Sequence, residues 1–356
     1  VALIHSGSAV TVLGPVEPGT LGQTLVREHL AASFAPPSDT PAGWQAAGRR
    51  QPVAAADRRF YETPLCIGML GAAALGAANR DNESLGDMGV AEAELLGFTR
   101  AGGRSIVDAT TRSHRRNASA LAQLSRSTGV NIVMAAGWHH PDWSPEISGR
   151  SAGSLAAEII RELSDGVDGV QAGLIGPLGP LDPAVPEERV LLLAAAAAAC
   201  ETGAPLVLDR SADPAKRNAA LKLLVAEGVP PWRMGLGRCG GLALDINDAE
   251  QVLGYGVCLQ FDELGRIPSV QTRTADHDVA AAILELARRG YAERLLVSHS
   301  ISRNTGLKAY GGNGYGFLLE QFTGYLAGLG AGEAELRLLT TGNPQRFLTF
   351  SSQEPA

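Results

Sequence analysis

The sequence predicts an α/β chain folded as a single (β/α)8 TIM barrel, and three observations carry that expectation. Short apolar, β-rich runs alternate with amphipathic stretches, the pattern of a parallel sheet wrapped by helices. Eight such runs can be placed along the chain. At 356 residues the chain suits one large barrel with a terminal addition better than two enzyme domains.

The expected strands are, in order, Thr24 to His29, Ser105 to Thr111, Asn131 to Trp138, Gln171 to Gly176, Pro205 to Arg210, Arg233 to Cys239, Val257 to Asp262 and Leu295 to Ser300. Each is short and rich in apolar residues, as strands buried on both faces are. The expected helices are Ala91 to Ala101, Asn117 to Thr128, Ser154 to Ser164, Glu187 to Glu201, Pro214 to Glu227, Asp276 to Arg289 and Gly316 to Leu329, several of them followed by Gly or Asn as helix stops. One segment breaks the rhythm: Ala31 to Thr63 is rich in Pro, Ala and Ser and leaves the first strand on the side where a barrel carries its site. It reads as a covering loop, with a disordered insertion as the alternative. Ser351 to Ala356 read as a frayed tail, and no fixed-period repeat is present.

Charge and cysteine usage exclude several classes. A net charge of -7 offers no long-range attraction for nucleic acid or an anionic membrane, so any anion must be held by local Arg residues. Cys66, Cys200, Cys239 and Cys258 form no CxxC pair, which argues against a disulfide framework or a thiolate zinc site. The apolar run Val190 to Cys200 is about half the length of a membrane span. A cytoplasmic protein without nucleic-acid or membrane partners is expected. Scans for GxxxxGK[ST] and HExxH motifs find none, and neither Ser300 nor Cys239 sits in a GxSxG elbow.

Several ordered segments resemble the phosphotriesterase family of the amidohydrolase superfamily, in its phosphotriesterase-related and lactonase-like branch. They are Gly14-Pro15-Val16 through Leu21-Gly22-Gln23-Thr24-Leu25, Asn79-Arg80-Asp81-Asn82, Ala101-Gly102-Gly103-Arg104-Ser105-Ile106-Val107-Asp108 and Thr128-Gly129-Val130-Asn131. Further on come Glu201-Thr202-Gly203-Ala204-Pro205, Leu296-Val297-Ser298-His299, Tyr310-Gly311-Gly312 and Asn343-Pro344. The resemblance implies an N-terminal β-hairpin within residues 1-23, a C-terminal helical extension and one domain over 1-356. It also leaves room for a homodimer.

Members of that family hold two metal ions with an HxH pair after strand one, a carboxylated Lys on strand four, a His after each of strands five and six, and an Asp after strand eight. Here the HxH pair matches Arg27-Glu28-His29, the Lys falls on Gly176, the two later His on Asp209 and Arg238, and the Asp on Ser300. Of the implied ligands only His29 persists. Arg offers no lone pair and stays protonated. The resemblance therefore implies the family barrel without the family metals, and no cofactor is expected.

The candidate residues follow. Arg27 and Arg238 are candidate anchors for a small anionic substrate. His29, Asp209 and His139 are candidate acid and base groups, His139 standing where relatives place an aromatic residue. Trp138 and His299, at the ends of strands three and eight, are candidate substrate-lining residues, His299 also reading as strand-end support. His5, His114 and His277 read as surface residues.

The leading expectation is a metal-independent enzyme using acid/base chemistry on a small anionic substrate. A non-catalytic barrel that binds a ligand or partner is the second reading, in which Arg27, Asp209, Arg210 and Arg238 merely plug the old site. A third is a metal-dependent ester or lactone hydrolase with a site rearranged around His29, Asp209, His139 and His299, against the roughly three protein ligands that catalytic zinc needs. Protein purified without chelators should carry well under one equivalent of zinc, manganese, iron or cobalt by elemental analysis; stoichiometric metal held through His29 would reverse the ranking.

Overall fold

A computed structural model describes residues 4-270 and 272-351. Its sheet contains eight parallel strands in chain order: β1 (Thr24–Glu28), β2 (Ser105–Asp108), β3 (Asn131–Ala136), β4 (Leu174–Leu178), β5 (Leu206–Asp209), β6 (Met234–Gly237), β7 (Cys258–Phe261) and β8 (Leu295–Val297). Each pairs with the next. The ring closes where the Ser300 amide donates to the Arg27 carbonyl at 3.0 Å and the Arg27 amide to Ser298 Oγ at 3.1 Å. Glu28 locks that seam. Its Oε1 accepts from Ser298 Oγ, the His299 amide and His299 Nδ1, and its Oε2 accepts from the Ile301 amide at 2.9 Å.

Most expected strands lose a residue or two at their carboxyl ends, where the chain turns outward. Arg238 and Ser300 take φ values of 56° and 51° there, a left-handed conformation that ends pairing. β4 differs more, starting at Leu174 and running to Leu178, with a register shift against β5 between Ile175 and Leu178.

The helices begin where short polar side chains cap them. Asp87, Asn117, Ser151 and Asp213 each accept from backbone amides of the first turn of the helices Met88–Arg100, Ala118–Thr128, Ala152–Ser164 and Pro214–Ala226. Pro186–Thr202 and Asp276–Leu286 complete the long helices. The short helix Ile246–Leu253, absent from the sequence expectation, is capped by Asp245. Among the described residues no helix is long and apolar enough to cross a membrane.

The implied hairpin is Ala9–Thr11 paired antiparallel with Gly14–Val16. The C-terminal extension includes the helix Asn343–Leu348, whose Phe347 and Leu348 join Val26, Val107, Val133, Leu174, Val207, Cys258 and Leu296 in one buried cluster. That cluster fills the barrel interior and its hairpin end. The first long connection contains short elements of its own. It carries the two-residue strand Ala32–Ser33, paired with Ser84–Leu85, and the helices Pro41–Ala46 and Ala55–Glu62. Trp44 packs on Tyr61 with ring centroids 4.8 Å apart and donates from Nε1 to Asp39. Pro41 sits in the first helical turn, where its missing N–H is harmless. Of the expected tail, residues 352-356 lie outside the described residues.

Because Phe347 is 3% exposed against the interior layer, Phe347→Ala should cost about 3–5 kcal/mol, read as a lowered midpoint in urea unfolding. A change under about 1 kcal/mol, small for removing a core aromatic, would show that the helix does not plug the barrel.

Candidate active site at the barrel mouth

Side chains at the carboxyl ends of barrel strands meet in one mouth, and here that mouth is floored by an ion network. Arg27 is 2% exposed and reaches from β1 to the opposite strand β5. There Nη1 and Nη2 donate to Oδ1 and Oδ2 of Asp209, the second bond at 3.0 Å. Nη1 also lies 3.2 Å from Asp262 Oδ2, just past β7. A register shift between Leu25 and Glu28 lets Arg27 turn inward next to the inward-facing Val26. Arg238 follows β6, donates from Nε to Asp209 Oδ2 at 3.0 Å and leaves its side chain 43% exposed. Its amide donates to Asp262 Oδ1 at 2.9 Å.

Glycines make room for this network. A Cβ built on Gly237 would lie 2.5 Å from Arg27 Nη1 and 2.8 Å from Asp209 Oδ1. One on Gly235 would lie 2.6 Å from Gln260 Nε2.

Above the floor stands a wall of rings. His29 Nδ1 is 3.0 Å from Thr110 Oγ1, and its ring meets Phe34 edge-on at 4.8 Å. Phe34 packs on His114, which in turn contacts His139 at 5.0 Å and Trp143 at 4.9 Å. His139 Nδ1 lies 3.1 Å from the Pro177 carbonyl, an acceptor, so that nitrogen carries the proton and Nε2 keeps its lone pair.

Charge states follow from burial and neighbours. Burial favours the neutral form of Asp209, but Arg27 and Arg238 outweigh it and hold the carboxyl well below the usual range. Burial opposes the Arg27 charge too, and Asp209 with Asp262 more than restores it. Asp262 is pushed up to about 6 by burial, against the pull of Arg27. Burial, then the Arg27 and Arg238 charges, hold His29 well below an ordinary imidazole. His114 is lowered by burial and by His139, and burial lowers His139 to about 4 despite Asp209.

Arg27, His29, His139, Asp209 and Arg238 are thus brought together at the mouth. Trp138 is turned away from it: its ring packs under Arg112 and Arg150, and its Nε1 donates to Glu146 at 3.0 Å. The cause is local. β3 ends at Ala136, and Gly137, at φ 82°, turns the chain while its amide is held by Glu162 Oε2. His299 is 2% exposed with both ring nitrogens engaged, Nδ1 donating to Glu28 and Nε2 accepting from the Leu318 amide at 3.0 Å, so the structure uses it as strand-end support.

Sequence reasoning missed His114, Phe34, Trp143 and Asp262. His114 is a correction: it is 5% exposed, not a surface residue, because the turn Arg112–His114 after β2 tucks it beneath the first connection. His5 is half-buried against Phe350, while His277 is exposed as expected. Cys239 is buried with its thiol on the Leu236 carbonyl. Asp262 had a readable signal, being the charged residue that ends the expected seventh strand.

Parallel strands closed into a barrel, with charged and titratable groups gathered at their carboxyl ends, define the enzyme-bearing (β/α)8 class. Within that class the chain belongs to the phosphotriesterase family, whose profile matches residues 7–348. An N-acetyltaurine hydrolase of Tetraodon nigroviridis is 27% identical over 97% of this chain and 99% of its own. A resiniferatoxin-binding protein from Rhodobacter sphaeroides superposes with a TM-score of 0.86 at 31% identity, covering 99% of this chain and 98% of that one. The Escherichia coli phosphotriesterase homology protein, complexed with phosphate in its active site, superposes with a TM-score of 0.75 at 26% identity over 92% and 99%.

The residues present do not fit the metal pair that this resemblance implies. Position 27 places a guanidinium on both oxygens of Asp209, Gly176 has no side chain, and Arg238 supplies a second cation. Among the described residues no group of three or more His, Cys, Asp or Glu is arranged to hold a metal ion.

The His139 shift has a sign that can be measured. Its folded value of about 4 lies below the ordinary 6.5, so the unfolded chain binds the proton more readily. The stability this confers is complete above about pH 6.5 and is lost as pH falls toward 4. The stability gap between wild type and His139→Gln should therefore be widest above pH 6.5 and narrow on acidification, followed by denaturant melts across that window. A gap that widens in acid would contradict a buried neutral imidazole.

Proposed function

We propose that this barrel is a metal-independent enzyme that captures a small anionic substrate at its mouth and moves protons with its neutral imidazoles. The observation that carries this reading is Arg238. Its Nε is fixed by Asp209, its side chain is 43% exposed, and Nη1 and Nη2 have no protein partner among the described residues. A planar, pre-oriented pair of donors facing solvent suits a phosphate, sulfonate or carboxylate group. Arg27 braces it from below, and Asp209 acts as the shared counter-ion. With its oxygens already taken by Arg27 and Arg238, Asp209 is poorly suited to accept protons.

His139 supplies the better acceptor, through Nε2. The positive charge of Arg238 helps hold its proton affinity down. An anion paired with Arg238 cancels part of that field and brings His139 nearer the neutral range where a general base works best. The phosphate in the E. coli relative's active site supports anion capture, and the N-acetyltaurine hydrolase relative supports hydrolysis of a small molecule. Turnover of ordinary phosphotriesters and lactones should stay poor even with added metal.

A non-catalytic ligand-binding barrel is the second reading, favoured by the saturation of Asp209. One variant separates the two. Arg238→Met should weaken calorimetric binding of phosphate or a small sulfonate by about 1.5–3 kcal/mol while the fold stays intact, and Arg238→Lys should recover only part. A large fall in melting temperature with unchanged anion affinity would instead show a plug that strands Asp209 as a buried charge.

A further inference from the structure

A second group of arginines stands at the rim of the mouth, apart from the Arg27, Asp209 and Arg238 network. The first connection meets the segments after β7 and β8 there, and the meeting is fixed by hydrogen bonds. The Asn304 amide donates to the Asn82 carbonyl and the Thr305 amide to Asn82 Oδ1, both at 2.9 Å. Asn313 Nδ2 donates to the Gly265 carbonyl at 2.7 Å. Each bond holds the chain beside an arginine, since Arg303 precedes Asn304 and Arg266 follows Gly265. Glu83, next to Asn82, pairs with a third, Arg49. The Glu83 carbonyl also accepts from the amide of Phe34, whose ring meets His29. The cluster therefore borders the wall of rings.

Its charges do not balance. Arg49 is answered by Glu83, and Arg266 by Glu263 at 2.9 Å. The Arg303 guanidinium is half-buried and has neither a hydrogen bond nor a carboxylate partner among the described residues. Burial, then the like charge of Arg266, lowers its proton affinity, and its own charge adds to burial in opposing that of Arg49. An arginine stays protonated near neutral pH all the same. One cation is thus held in a partly dehydrated place without a counter-charge, a cost that an arriving anion removes.

We propose that Arg303 is a second anion anchor, and that the ligand of this mouth is a small dianion with one acidic group on Arg238 and the other on Arg303. The inference rests on the Arg238 reading for the first of these groups. Arg238 leaves β6 and Arg303 lies beyond β8, two strands on. Neighbouring strands are about 4.8 Å apart, so an extended diacid has the reach for both arginines and a compact ion such as phosphate does not.

The test uses diacids and monoacids of matched carbon count: succinate with butyrate, glutarate with valerate, adipate with hexanoate. Affinities are measured by titration calorimetry on wild type, Arg303→Gln and Arg238→Met, with melting temperatures alongside. At least one diacid should bind wild type about tenfold or more tighter than its monoacid, as expected for one added charge-assisted contact. Arg303→Gln should abolish that advantage and leave monoacid affinity unchanged, whereas Arg238→Met should weaken both kinds of acid. Should Arg303→Gln fail to fold, the Arg303 Nε–H resonance of wild type is followed instead, and it should shift with the diacid but not with the monoacid.

No diacid advantage at any length overturns the proposal, as does an advantage that survives Arg303→Gln or a resonance that ignores the diacid. A lowered melting temperature with the advantage intact would make Arg303 a structural counter-charge and overturn it too. Monoacids indifferent to Arg238→Met overturn the Arg238 reading instead, and a diacid effect of Arg303→Gln in that case still assigns Arg303 to anion binding.

Discussion

A buried guanidinium that crosses the barrel axis governs the mouth. Burying Arg27 and Asp209 separately would cost each several kcal/mol in lost hydration, and only their two-pronged pairing, with Asp262 alongside, makes the arrangement tenable. The rest follows from that demand. Asp209 is kept ionised, Arg238 is drawn to its remaining lone pair and turned partly toward solvent, and burial, reinforced by the positive field of the two guanidiniums, keeps His29 neutral. Two guanidinium cations are thus built into the walls of the mouth.

Two other buried carboxylates hold the frame around this centre. Glu28 ties β1 to the chain leaving β8 through side-chain and backbone donors, fixing the residues on either side of it, Arg27 and His29. Glu162 takes the Gly137 amide and the guanidinium of Arg116, setting where the chain turns after β3 and so where His139 stands. Charge-assisted bonds of this kind fix strand ends more tightly than apolar packing does, and hydrogen bonds that hold a site's supporting residues also limit how far its side chains wander.

The alternation of apolar runs with amphipathic stretches made the barrel legible, because strand and helix periods are local properties of the chain. Arg27, Asp209 and Arg238 were legible as well, since each sits at a strand end where a side chain must face the mouth. His114 and Phe34 were not. They lie on connections whose course depends on packing between segments far apart in sequence, and an isolated His after a strand gives no sign of the rings that will cover it. Trp138 shows the converse failure. It closes the expected third strand, but the strand stops at Ala136, the left-handed Gly137 redirects the chain, and the Trp138 ring finds two arginines instead of the mouth. The helices in the Pro- and Ala-rich first connection were hidden by composition, which reads Pro as a breaker even when it opens a helix.

The glycine beneath Arg27 couples two positions that lie far apart in the chain. While Gly237 lacks a side chain, the long guanidinium has room to lie flat over β6; with any larger residue there, it would be expelled from between the carboxylates. Positions 27 and 237 are therefore tied sterically: a side chain at one leaves no room for the guanidinium of the other, so a missing methyl group on β6 sets what the far side of the barrel can hold.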